Sequence, residues 1–300
     1  MPAQRTLRQV APVTGIGLHS GQKVSISLKP APANFGIRFL RADLGVEIPA
    51  HVTCLGGAQQ LQTGLRKDNA SVETVEHLLS ALTSLGVDNV LIEMNQAEVP
   101  IMDGSAAPWV YLIQAAGTRE LAAPRRTIEI LSPVEVRDGD KRIAVYPSKH
   151  FKVTYTISFD HPLLRHQEKT LDITEQVFVD EIAPARTFGF LKEVEMLRQR
   201  GQALGGSLDN AVVIGETGVL NPLRFDDEFV RHKMLDAIGD LALLGAPIRG
   251  HLVVQRGGHA LHTAFAAELL RQPDAWRYVD ASAPAAAPAA ARVPARQSAR

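Results

Sequence analysis

The chain has 300 residues, 45% of them hydrophobic and 21% charged, and its 32 Lys+Arg balance its 32 Asp+Glu. This composition fits a globular chain of about two domains and excludes broad attraction to a nucleic-acid backbone, which needs a basic excess. A single cysteine, Cys54, excludes an intramolecular disulfide and reads as a small core residue in a reducing compartment.

The N-terminus, MPAQRTLRQV, lacks the apolar run of a signal peptide. No stretch of about 20 apolar residues is present to span a bilayer, so a cytoplasmic location is expected, with contact to a membrane surface and a lipid substrate left open. GIGLHSG, residues 15–21, reads as a hairpin turn between strand-like runs; it opens no helix and is therefore no nucleotide fingerprint. Ser71–Leu85 reads as a helix, because Val72, Val75, Leu79 and Leu82 recur at helical spacing and Gly86 stops it. The strand-like VDNVLIEM follows, then the loop PIMDGSAAP and a helix, Trp109–Ala116, ended by Gly117. A change of character at Leu121–Arg126 marks the expected boundary between domains at 1–122 and 127–280. Beyond it the run TIEILSPVEVRDGDKRIAVYPSKHFKVTYTISF alternates like strands, with Asp138-Gly139 as a turn signal.

Further on, Leu191–Arg200 reads as a helix, and Asp227–Leu244 as another stopped by Gly245. The strand IRGHLVVQ, the loop RGGH and the helix Ala260–Arg271 follow. Helix, strand, loop and helix thus occur in the same order in both halves. The expected fold class is α+β: two similar domains, each a sheet covered on one face by helices. The last 20 residues, 281–300, are rich in Ala, Pro, Ser and Arg and read as a disordered tail; a handle read by a protease or partner is the alternative.

Chemistry concentrates at few positions. Glu76 and His77 sit away from the apolar stripe of their helix. A metal-binding His beside a Glu that takes a proton from water is one reading, and a solvated helix face is the other. Position 81 is alanine, so the helix lacks the second His of a HExxH pattern. His232 and Asp236 are four residues apart on one helix face, as a chelating pair or a plain surface pair would be, and Asp240 lies one turn further. Packing the halves face to face brings His77 to them; two His, a carboxylate and an open position make a catalytic zinc site. His259 follows two glycines at a helix start, where it could donate a proton with Asp240 holding it charged, or have no role. Thr187, in ARTFGF, could steady an oxyanion or cap a helix. His262 is expected at the surface. His51, His150, His161, His166 and His251 have no motif spacing.

In combination, GIGLHSG, SVETVEHLLSAL, VDNVLIEMNQAEVPIMDGSA, ARTFGF, LGGSLDNAVVI, FVRHKMLDAIGDLALLG and GGHA make the chain, from about Arg5 to Tyr278, resemble the UDP-3-O-acyl-N-acetylglucosamine deacetylases of lipid A synthesis. The resemblance implies two α+β domains packed face to face with the active site between them, and one Zn²⁺ per chain on His77, His232 and Asp236. Glu76 would be the general base, His259 paired with Asp240 the acid, and Thr187 would polarise the acetyl carbonyl. Lys233 would meet the polar head of an acylated UDP-sugar, with His19, Lys141, Phe159 and Phe188 seating the UDP or sugar. Each domain would carry a small β-α-β insert. The second, about 191–213, would form an acyl passage lined by Leu191, Val194, Ala203, Gly206, Leu208, Ala211 and Val213; ordinary core is the other reading of those residues. Nothing in the sequence demands a dimer, so a monomer is expected with oligomeric state left open, and the charge balance implies no nucleic-acid partner. The rival readings are a zinc hydrolase of another amide, and a non-catalytic module whose structural metal has four protein ligands.

Overall fold

Alternation of apolar residues builds the strands, as in Val24, Ile26 and Leu28, or Val153, Tyr155 and Ile157, each buried on one face of its sheet. The computed structural model describes residues 2–57 and 59–280; the expected disordered tail, 281–300, lies outside the described residues. The first half contains β1 (Ala3–Leu7), β2 (Ala11–Ile16), β3 (Lys23–Pro30), β4 (Ile37–Arg41) and β5 (Val46–Pro49). A hairpin of β6 (Gly64–Lys67) and β7 (Ala70–Glu73) leads to helix α1 (Glu76–Ser84), β8 (Val90–Met94), α2 (Ala107–Ala116) and β9 (Thr118–Pro124). The second half runs through β10 (Arg126–Ile130), β11 (Val134–Asp138), β12 (Lys141–Tyr146), β13 (Lys152–Ile157), β14 (Gln167–Asp172) and the single turn α3 (Glu175–Val177). It continues with β15 (Phe188–Phe190), α4 (Leu191–Gln199), β16 (Val212–Ile214), α5 (Glu228–Leu241), β17 (Ile248–Arg249), β18 (His251–Gln255), α6 (His259–Arg271) and β19 (Trp276–Asp280).

The two main sheets are wired identically, in the orders β2-β3-β8-β4-β5 and β11-β12-β18-β13-β14. In each, the central strand is the last one in the chain. It runs antiparallel to the second strand of its sheet in chain order and parallel to the third. The fold is therefore α+β, as expected, and the repeat of layout in the sequence corresponds to a repeat of topology.

Several boundaries differ from the pattern reading. The helix expected from Ser71 starts only at Glu76, because residues 70–73 pair as a strand with 64–67. Thr74 then adopts φ 57, which no helix continues through, with its hydroxyl donating to Gln62 Oε1 at 2.6 Å. Val72 alternates in a strand and happens to fall on the helical stripe as well. The run IRGHLVVQ splits at Gly250: β17 joins β10, and β18 enters the main sheet. The first insert is an antiparallel hairpin after a 3-10 turn, Val52–Cys54, and not a β-α-β unit. In the second half, α4 does lie between the parallel pair β15 and β16. Helix α5 ends as read from the sequence, in a 3-10 turn, Ala242–Leu244, and a left-handed Gly245.

Helices α1 and α5 pack on one another across the two halves. At Gly239 an added Cβ would stand 2.0 Å from the Glu76 carbonyl oxygen, so only glycine permits this approach. Replacing an interior helical glycine by alanine ordinarily stabilises a helix by about 1 kcal/mol. Here the opposite sign is expected: Gly239→Ala lowers stability by about 1–3 kcal/mol through overpacking, read as a lower urea midpoint at an unchanged slope. A variant as stable as the parent would mean that the helices separate at no cost.

Candidate active site

Glu76 and His77 open α1 and are both buried. They face α5, which presents His232, Asp236 and Asp240 on successive turns of one face, all buried. His77 Nε2 lies 3.8 Å and His232 Nε2 3.3 Å from Asp236 Oδ1, and the two rings stand perpendicular with centroids 4.9 Å apart. One ligand atom from each of the three residues lies within 4.8 Å of the others. The Nδ1–H of His232 donates to the Ala185 carbonyl at 3.0 Å, which leaves the Nε2 lone pair facing the cluster.

Burial lowers the pKa of both imidazoles, His77 to about 3 with the neighbouring His232 adding to the effect, so both are neutral. Burial alone would raise Asp236, but Lys233 and the surrounding imidazoles outweigh it and hold the carboxyl well below its usual range. Asp236 Oδ1 has no hydrogen-bond partner. A buried carboxylate oxygen facing two neutral nitrogen lone pairs is costly unless a cation lies between them. The donor set of two imidazole nitrogens and a carboxylate oxygen fits a divalent metal ion.

The proton-handling groups stand beside this cluster. Glu76 Oε2 accepts from the Thr63 backbone N–H at 3.1 Å, and burial pushes its pKa up to about 7 against the pull of His259. His259 Nε2 is 4.0 Å from Glu76 Oε1 and 3.8 Å from Asp236 Oδ2. Its Nδ1–H donates to Asp240 Oδ2 at 2.9 Å. Burial would lower His259, but Asp240, Asp236 and Glu76 outweigh it and raise it to about 9. One group is thus held near neutrality and the other charged, which is the separation an acid–base pair needs.

A cavity of about 130 Å³ joins Glu76, His77, His232, Lys233, Asp236 and His259 to His19, Thr187 and Phe188. Lys233 Nζ bonds Asp236 Oδ2 at 2.7 Å and lies 5.6 Å from the Phe188 ring centroid. Phe159 packs edge-on against Phe188 with centroids 6.0 Å apart, one layer behind the cavity wall. His19 lies in the β2–β3 loop, whose backbone is held by Glu98: the N–H groups of His19 and Ser20 donate to its two carboxylate oxygens at 2.7 and 2.8 Å. The tip of the second insert docks on the same loop, with the N–H of Leu204 donating to His19 O and that of Gly205 to Leu18 O. Lys141 is exposed at the β11–β12 turn and does not line the cavity. Of the expected passage residues, Leu191 and Leu208 are exposed, Val194, Gly206, Ala211 and Val213 are half-buried, and Ala203 alone is buried. A larger cleft of about 1130 Å³ opens at the opposite ends of α1 and α5, beside Ser84 and Leu241, far from this chemistry.

His262, expected at the surface, is wholly buried, because three residues after His259 it returns to the same face of α6. It donates from Nδ1 to Asp240 Oδ2 at 2.8 Å. Thr63, whose hydroxyl donates to Asp240 Oδ1, carried no signal in the sequence, and neither did the Ala185 carbonyl. Glu98 lay inside a motif segment, but nothing in its spacing pointed to the His19 loop.

Residues 4–271 match the family described as UDP-3-O-acyl N-acetylglycosamine deacetylase. The chain is 50% identical over 285 residues to the UDP-3-O-acyl-N-acetylglucosamine deacetylase of Pseudomonas entomophila, covering 93% of this chain and 94% of that protein. It is 48% identical over 282 residues to the enzyme of the same name from Myxococcus xanthus (93% and 90%) and 50% identical over 289 residues to that of Acidithiobacillus ferrooxidans (93% and 94%).

Two outcomes check this geometry. His232→Ala removes one of three donors, so metal retained through purification drops about tenfold or more, whereas Glu76→Gln retains it; equal loss in both would place the metal elsewhere. The raised Glu76 pKa means that the folded chain binds this proton more tightly than the unfolded chain does. Its contribution to stability is therefore present below 4.5 and lost as pH rises to about 7. Glu76→Gln, which keeps an acceptor for Thr63 N–H, should stabilise the metal-free protein above about pH 7 and not below 4.5, as equilibrium denaturation would show.

Proposed function

Because this chain belongs to the UDP-3-O-acyl N-acetylglycosamine deacetylase family, we propose that it hydrolyses the N-acetyl group of UDP-3-O-(3-hydroxyacyl)-N-acetylglucosamine, releasing acetate in lipid A biosynthesis. The observation that carries the reading is the conjunction, in one small cavity, of the His77/His232/Asp236 donor set, a carboxyl near neutrality and a charged imidazole. Among the described residues the donor cluster has three protein members, as a catalytic site with an open position would, whereas a structural site closes with four.

The metal in this reading is one Zn²⁺, which would acidify water and polarise the acetyl carbonyl. Glu76 removes the proton of the attacking water as the new C–O bond forms. The Thr187 hydroxyl donates to the oxygen that gains negative charge. His259, kept protonated by Asp240, gives its Nε2 proton to the sugar nitrogen as the C–N bond breaks, and acetate leaves. Lys233 meets polar groups of the substrate at the cavity. His19 and Phe188 seat the sugar, with Phe159 backing the Phe188 ring, and Lys141, outside the cavity, meets the extended nucleotide end. The acyl chain lies along Leu191, Val194, Ala203, Gly206, Leu208, Ala211 and Val213; the partial exposure of all but Ala203 supports an apolar track more than a closed core. The two halves act as domains 1–122 and 127–280, with the site between them. Among the described residues no helix is long and apolar enough to cross a membrane, and the reading is of a cytoplasmic monomer that meets its lipid-bearing substrate at or near a membrane surface.

Acetate release from the acylated UDP-sugar tests this directly: it stops on chelation, returns with zinc, and falls by orders of magnitude in Glu76→Ala. Zinc-loaded, folded protein that releases no acetate would remove the substrate assignment. The rate should rise with pH as Glu76 ionises and fall as His259 deprotonates near 9, giving a bell; a single rising limb would refute the two-residue scheme. A substrate lacking the acyl chain should lose kcat as well as affinity.

A further inference from the structure

Asp240 has more partners than the proton transfer proposed above requires. Its Oδ1 accepts from Thr63 Oγ1, and its Oδ2 accepts from both His259 Nδ1 and His262 Nδ1. The other nitrogen of His262 lies 3.0 Å from the Tyr155 hydroxyl on β13, and both side chains are wholly buried. A carboxylate only accepts, so each imidazole donates from Nδ1. Burial keeps His262 neutral despite Asp240, which leaves its Nε2 bare, and burial raises the Tyr155 phenol so that it keeps its proton. The direction is therefore fixed: Tyr155 O–H donates to His262 Nε2, and His262 Nδ1–H donates to Asp240.

The backbone is shaped around this relay. A Cβ at Gly257 would come within 2.9 Å of both His262 Nε2 and the Tyr155 oxygen, and 2.4 Å from Val254 Cγ1, so the turn into α6 must be glycine where it passes the Tyr155–His262 contact. Asp240 is clamped from both sides of the molecule: Thr63 belongs to the first half, and His262 and Tyr155 to the second.

We propose that His262, anchored by Tyr155, is a positioning residue for the deacetylation. It holds the Asp240 carboxylate in the orientation that meets His259 Nδ1, and thereby aims His259 Nε2 at the departing nitrogen. The proposal rests on the deacetylase reading, and an arm of its test needs no substrate.

In the zinc-loaded full-length enzyme, His262→Ala should lower kcat about 10- to 100-fold with KM within about twofold, since His259 acts on the transition state and not on substrate binding. His262→Asn, whose amide N–H can reach Asp240, should recover most of the loss, and Tyr155→Phe should lose less than His262→Ala. In an Asp240→Asn background, His262→Ala should add little, because the two act as a unit. Without substrate, proton NMR of the metal-loaded protein should show downfield imidazole N–H signals from His259 and His262. His262→Ala should remove one and displace the other, and Tyr155→Phe should move the His262 signal alone. If His262→Ala and His262→Asn lose activity equally, or the His259 signal stays in place in both, His262 is packing and the proposal fails. If the wild-type enzyme releases no acetate, the deacetylase reading fails while the NMR arm still decides whether the clamp exists.

Discussion

At Gly239 the α5 backbone lies against the Glu76 carbonyl with no room for a methyl group, and the rest of the site follows from that contact. It sets the separation of α1 and α5, which determines whether His77 reaches Asp236 and whether His259 reaches Glu76. Side chains from a residue 77 and a residue 236 become neighbours because two helices in equivalent places of two identically wired sheets pack face to face. The symmetry is one of backbone only. The first helix supplies a Glu and a His from its opening turn, and the second supplies a His and two Asp along three turns.

Electrostatics explains why these groups tolerate burial together. Asp236, Asp240 and Glu76 lie within one water-poor region, and three isolated anions there would be prohibitively costly. The region is relieved unequally. Lys233 bonds Asp236 directly, Asp240 collects three donors, and Glu76 keeps only a backbone N–H and a distant imidazole. The least supported carboxyl is therefore the one that holds its proton near neutrality. Poor solvation of this kind is what the base role proposed for Glu76 would require.

Much of this was legible in the sequence, and the limits of legibility are physical. The i,i+4 spacing of His232 and Asp236 revealed a shared helix face, and the repeated order of elements revealed a repeated fold. Helical periodicity alone places the start of α1 too early, because Val72 satisfies both periods and only the left-handed Thr74 breaks the run. The surface reading of His262 fails although its spacing from His259 puts both on one face, because the groups it packs on, Tyr155 of β13 and Asp240 of α5, are remote in sequence. Thr63 and Ala185 act partly or wholly through contacts that carry no local pattern. Spacing reports partners along one element, whereas Asp240 is served by residues up to 177 positions away.

That distance has a consequence for how the protein reaches its working state. Each sheet with its own helices is largely local in sequence, but the His77, His232 and Asp236 donor set exists only where α1 of one half meets α5 of the other. Contacts of such long range form late, after the entropy of joining distant segments has been overcome. An ion that recognises only the docked arrangement favours it by mass action. Metal loading would thus report completed assembly, and a chain arrested with both halves formed but apart would be inert and metal-free while retaining most of its secondary structure.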